Sequence, residues 1–296
     1  MSEKGGLQLP PAPIALVAPS YEHKFVEVMA GLASGKLAPP AKSGGRILWL
    51  DHWDGSARTY DVVQGVAIIP VAGVLLQEFP VIGWEYATGY NCLRLQIAQA
   101  MADPEIKAVV LWINSGGGEV SGCFDLVDWI VAAKAAAGKP VVAILDEMAY
   151  SAAYAIASAA DTLTVPRTGG VGSIGVVMMH VDYSKILDEW GIKLTFIFAG
   201  KHKVDGHPYA ELPEEVKAVW QAECEDIRQL FAATVTKHRS AAGTAIDIKA
   251  VLDTEAATFS SPSALAAAVK LGLADDIMAP LDALAAVIRQ STAAPV

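Results

Sequence analysis

Short apolar runs alternate with helical patterns through most of this chain, and that alternation is what most limits its fold. Residues 66–71, 108–113 and 140–145 are apolar stretches of strand length, suited to strands buried on both faces. Between them, residues 90–102 set Leu93, Ile97 and Met101 on one helical face, with Asn91 as a candidate cap, and residues 120–137 form a second helical pattern. A third, alanine-rich helix is expected over 152–160. Short strands are expected at 162–165, 174–179 and 193–198, the last alternating Leu194, Phe196 and Phe198, and a long helix over 213–238. Strand, helix, strand in repetition predicts an α/β fold with a mainly parallel sheet and right-handed crossovers.

The 296 residues allow one large domain with an added N-terminal piece. Residues 1–60 read as an appendage, with a helix near 21–32 and a flexible joint at Pro39–Pro40 and residues 43–45. The main domain spans 61–280, and 281–296 reads as an alanine-rich tail. A net charge of −10 without a basic block argues against a nucleic-acid partner. Cys92, Cys123 and Cys224 are odd in number and lack zinc spacing, which fits a reduced, cytosolic setting. The apolar stretch 14–18 is too short for a signal core, and no run is long enough for a membrane anchor.

Three segments could carry chemistry. Ser151 stands where the third strand pattern gives way to a helix, a turn that presents a hydroxyl at the carboxyl end of the sheet. Taken alone it is more readily an N-cap serine doing local work only. Gly116, Gly117 and Gly118 close the second strand before its helix. Neither a phosphate-loop lysine nor a spaced dinucleotide fingerprint accompanies them. They suit either an oxyanion hole, with N–H groups of Gly117 or Gly118 and of Ala152, or a tight turn with no ligand. A serine nucleophile also needs a base. His180, His202 and Lys203 are the options, and a lysine serves only where a dry, apolar cleft holds its amine uncharged. Ser173 could aim that amine. Residues 84–86 form an aromatic stretch that lines a cleft, meets another subunit or packs on its own core.

In order, residues 113–118, 149–154, 168–176, 199–206 and 267–277 resemble the signal-peptide-peptidase-A family of serine peptidases, nearest its phage head-maturation branch of minor capsid protein C type. The resemblance covers residues 65–278 or so. It implies a Clp-protease/crotonase-like fold, rings of identical subunits and no cofactor. It places a serine–lysine dyad on Ser151 and Lys203, the lysine-orienting serine on Ser173 and the oxyanion glycine on Gly117. Scaffold, portal, or the chain's own termini are the substrates it suggests, with scaffold, portal and capsid proteins as partners, in the host cytoplasm or within a prohead. Four other readings stay open: a silent prohead component, thioester chemistry at the glycines, a Ser–His–Asp arrangement with His180 or His202, and a bacterial peptidase acting on signal peptides.

Overall fold

A computed structural model describes residues 14–39 and 47–293. The joint at Pro40 and residues 43–45, and the prolines at 10–13, lie outside the described residues. In chain order come β1 (Ile14–Val17), α1 (Glu22–Ala33), β2 (Val66–Leu76), β3 (Ala87–Gly89), α2 (Tyr90–Ala102) and β4 (Ala108–Glu119). They are followed by α3 (Cys123–Ala137), β5 (Val141–Tyr150), α4 (Ala152–Ser158), β6 (Thr162–Val165), β7 (Gly170–Gly172) and β8 (Val177–Met178). The C-terminal part adds α5 (Ser184–Glu189), the long α6 (Glu214–Ala241), β9 (Thr258–Phe259), α7 (Pro262–Lys270) and α8 (Pro280–Ala293).

The centre of the sheet is parallel, as the alternating pattern predicts. Ile69 of β2 lies opposite Leu111 of β4, Leu111 opposite Ala143 of β5, and Ala143 opposite Leu163 of β6. All four side chains are fully buried, in one cluster with Leu93, Ile97, Val127 and Ile130 from α2 and α3. Burying a leucine, isoleucine or valine side chain here stabilises by roughly 1.5–3 kcal/mol each. The opposite pleat, with Val66, Val110, Val142 and Ile144, meets Ala283 and Val287 of α8. The expected C-terminal tail is thus largely a helix covering the second face of the sheet. That cover is what near-continuous apolar strands require.

The N-terminal segment is also built in. β1 joins the main sheet, and Tyr21, Phe25 and Val28 are buried with Val74, Leu76 and Trp84. Trp84 stacks on Phe79 at 5.6 Å, so this part of the aromatic stretch packs on its own core. Asn91 is not the cap of α2, which is Gly89. Its side chain instead pairs with the backbone of Phe79, accepting from N–H at 3.0 Å and donating to the carbonyl at 3.1 Å. The expected strand at 193–198 does not form. Every residue from 191 to 203 is exposed, Ile197 at 98%. Alternation marks a segment able to form a strand, but among the described residues no strand pairs with it there.

Residues 272–275 tie three elements together behind α4. The Tyr154 hydroxyl donates to the Leu273 carbonyl at 2.9 Å. The fully buried Arg239 of α6 donates through Nε to Gly272 O at 3.1 Å and through Nη2 to Asp275 Oδ1 at 2.5 Å. Asp275 also accepts from the Leu163 N–H at 2.6 Å. Arg239→Ala removes one side of this pair and leaves a void. We expect a loss of ~3 kcal/mol or more, seen as a lower urea midpoint at unchanged slope.

His238 of α6 is buried and lies 2.9 Å from Asp128 of α3. Burial lowers its pKa, outweighing the carboxylate that raises it. A histidine held neutral in the fold stabilises fully above its unfolded pKa of about 6.5. That contribution falls as pH drops below this value toward the folded pKa. His238→Gln should therefore flatten the stability lost between about pH 7.5 and 5.5 in urea titrations.

Candidate active site

Ser151 sits between the last residue of β5 and the first of α4, with φ 54° and ψ −121°. A left-handed φ at a residue with a Cβ costs about 1–3 kcal/mol and persists only where surroundings impose it. Here they do. The Ser151 N–H donates to Gly172 O of β7 at 2.9 Å, and its carbonyl accepts the Ala155 N–H at 2.9 Å to open α4. Every residue of α4 is buried. Among the described residues, the buried Ser151 Oγ has no hydrogen-bond partner. A buried hydroxyl left unpaired is costly, and its persistence marks a group kept for something other than stability.

The glycines do not form a β–α turn. They continue β4, which stays paired with β2 through Val74 opposite Gly117 and Leu75 opposite Gly118, past an irregularity at Ala72/Val74. On the other side β1 pairs antiparallel with the same residues. Gly117 adopts φ 110°, and a Cβ there would stand 2.1 Å from the Leu16 carbonyl oxygen and 3.1 Å from Ser151 Cβ. Only glycine fits, on both counts. Gly116 is covered by the Tyr21 ring, at 2.1 Å from where a Cβ would be.

Ser115 was not legible as a participant, since nothing but its place beside the glycines singles it out. Its Oγ accepts the Gly117 N–H at 3.1 Å and donates to Gly73 O at 2.6 Å. The Gly117 N–H, expected to serve an oxyanion, is therefore taken up by Ser115 Oγ.

Ser173 is buried, follows directly on Gly172 and has φ 56°, with its N–H donating to Ala257 O at 2.9 Å. The fold thus gathers Ser151, Ala152, Gly117, Gly118 and Ser173. It does not bring Lys203 to them in the isolated chain. Lys203 lies on an exposed turn, outside hydrogen-bond reach of Ser151 Oγ. The histidines do not take its place. His180 Nε2 lies 3.1 Å from His207 O, and the exposed His202 Nδ1 lies 2.8 Å from Asp205 Oδ2. Cys123, close to α4 with Sγ 3.8 Å from Ala152 O, is no rival nucleophile, because burial pushes its thiol up to about 12. Among the described residues no cluster could hold a metal ion, and no helix is long and apolar enough to cross a membrane.

Ser151→Ala deletes an unpartnered buried hydroxyl. Its stability should equal the parent's or exceed it by up to about 1 kcal/mol, against the usual loss for a core change. A drop of that size in chemical denaturation would mean the hydroxyl is satisfied in solution.

The capsid assembly protease C of Escherichia phage lambda is 37% identical over 235 residues, 79% of this chain and 51% of that protein. The head-tail preconnector protein GP5 of Enterobacteria phage P21 is 38% identical over 77% of this chain and 44% of its own length. The chain spans about half the length of these curated relatives. Among solved structures, a membrane-bound stomatin-specific protease in complex with a substrate peptide is 14% identical, covering 74% of this chain and 77% of that one, with a TM-score of 0.43. The profile of peptidase family S49 matches residues 133–292, which hold Ser151, Ala152, Ser173 and Lys203. The chain belongs to peptidase family S49.

Proposed function

We propose that this chain is a serine endopeptidase that processes phage head proteins during capsid assembly, in the host cytoplasm or inside the prohead. The observation that carries the reading is the buried, unpartnered hydroxyl of Ser151, held at a strained backbone beside Gly117 within an S49 chain. In the reaction, Lys203 takes the Ser151 proton as Oγ attacks the scissile carbonyl and passes it to the departing amine as the peptide C–N bond breaks; the neutral amine then takes a proton from the water that hydrolyses the acyl-enzyme and returns it to Ser151 Oγ. Ser173 orients the amine. The N–H groups of Gly118 and Ala152, with that of Gly117 once Ser115 yields it, bind the oxyanion; one such donor accounts for about 10²–10³ in rate. Scaffold, portal or the chain's own termini are the substrates, in keeping with the names of the two phage relatives. No cofactor enters this chemistry.

The exposed position of Lys203 makes assembly part of the proposal. Residues 191–203 expose Ile192, Leu194, Phe196, Ile197 and Phe198, a run of apolar side chains that a lone subunit leaves in water. Docking against further copies of the chain buries them, folds the Lys203 turn over Ser151 and dries the amine.

Co-expression with the neighbouring head proteins, followed by intact-mass analysis, tests the activity. Ser151→Ala and Lys203→Ala should each abolish the cleavage seen with the parent, by at least about 10³-fold. Lys203→Ala should leave stability within about 0.5 kcal/mol, since the residue lies on an exposed turn. Cleavage at the same bond by Ser151→Ala overturns the nucleophile. If the parent binds head proteins without cutting them, the silent structural reading holds instead. Specific activity should rise with subunit concentration, and a constant value down to about nanomolar counts against the assembled site.

A further inference from the structure

β1 is not at the rim of the sheet. It fills the position between β4 and β8, antiparallel to both, with Leu16 opposite Gly118 and Val17 opposite Gly117 on one side. On the other side Ile14 lies opposite Met178 and Ala15 opposite Val177. The Ala18 N–H donates to Gly116 O at 3.0 Å. Residues 14–18 thus run along all three glycines. The Leu16 carbonyl oxygen and Ser151 Cβ both border the space that a Gly117 side chain would need. Ser151 itself is fully buried.

Resting on the peptidase reading above, we propose that β1 is a built-in occupant of the peptide-binding position, and that substrate reaches Ser151 as an extended segment replacing residues 14–18. Backbone pairing supports this. Among the described residues β8 pairs with β1 and with no other strand. When β1 leaves, β8 and the glycine end of β4 present facing unpaired edges, a template for adding one strand. Side-chain chemistry defines what fits. Leu16 is buried in the cluster that holds Ala149 and Ala152, on either side of the Tyr150–Ser151 pair. Ala15, Val17 and Ala18 enter the second cluster with Tyr150 and Phe25. Alternate residues therefore enter two apolar environments, and the substrate is a small-to-medium apolar segment in extended form, without charge along that stretch.

Covalent attachment gives β1 an effective concentration on the order of millimolar, so a dilute peptide displaces it poorly. Substrates crowded together in an assembling shell compete on equal terms. The free enzyme is held back by its own N-terminal strand without any further inhibitor.

The test uses the full-length Ser151→Ala chain and an isotopically heavy synthetic peptide with the sequence of residues 10–20 of this chain. Amide hydrogen exchange is followed as the peptide is raised to millimolar concentration. Amides of 14–18 in the chain should exchange several-fold faster, while those of 116–119 keep their protection because the added peptide replaces the strand. Peptide binding with residues 14–18 still protected, or no binding at millimolar peptide, overturns the proposal. A second arm uses Ala15→Pro, which removes a ladder donor from a strand paired on both sides. Cleavage of the head protein should then show a KM several-fold lower, and an unchanged KM in a variant that melts like the parent overturns the proposal; exchange decides alone if the variant does not fold. A parent whose strand yields to the peptide but which cleaves no head protein overturns the peptidase reading and leaves the displacement standing. Cleavage with residues 14–18 protected throughout does the reverse.

Discussion

The hydrogen bond from the Ser151 N–H to the Gly172 carbonyl holds the site together. It joins the end of β5 to β7 at the point where the chain must turn into α4 with a left-handed φ. Without it nothing local favours that conformation at a serine. Strain at Ser151 is sustained by elements that do not move independently. Ala155 closes the first turn of α4 onto the Ser151 carbonyl. Tyr154, on the same short helix, is anchored to Leu273, and Leu273 is flanked by the Arg239 contacts to Gly272 and Asp275. A hydroxyl that stabilises nothing is thereby presented in one orientation, which is the arrangement expected where function and stability conflict.

The glycine run serves the same place from the opposite side. Three residues without side chains let β2, β4, β1 and Ser151 approach one another more closely than any Cβ would allow. The sheet therefore continues past the point where its parallel strands ordinarily give way to helices. An N-terminal strand completes it, so the segment that the sequence sets apart is structurally continuous with the surroundings of Ser151.

Two parts of the chain differ in how completely they are satisfied. The parallel core, α2 to α4 and α8 leave few apolar groups in water. Residues 191–203 leave many. Lys203 belongs to the second part and Ser151 to the first.

Much was legible from local pattern. Residues 66–71, 108–113 and 140–145 are apolar because both faces of a central parallel strand are covered, and α2 matches its predicted limits because its apolar period meets that sheet. Ser151 and Gly117 could be marked because a serine at a strand–helix junction and a glycine run are local signals. Ser115, Arg239 and the role of residues 14–18 could not, because each matters through partners far along the chain. The Lys193–Phe198 alternation failed as a strand for the same reason: β structure needs an edge, and no run of residues states whether one is near. The sequence alone thus determined which segments are strands or helices in the core and which residue types stand at their ends, since periodicity and glycine act over a few residues. Tertiary structure decided which strand lies over the glycines, that the Ser151 hydroxyl is buried and unpaired among the described residues, and that Lys203 stands apart from it, because those depend on long-range pairing and on what each surface finds to cover it.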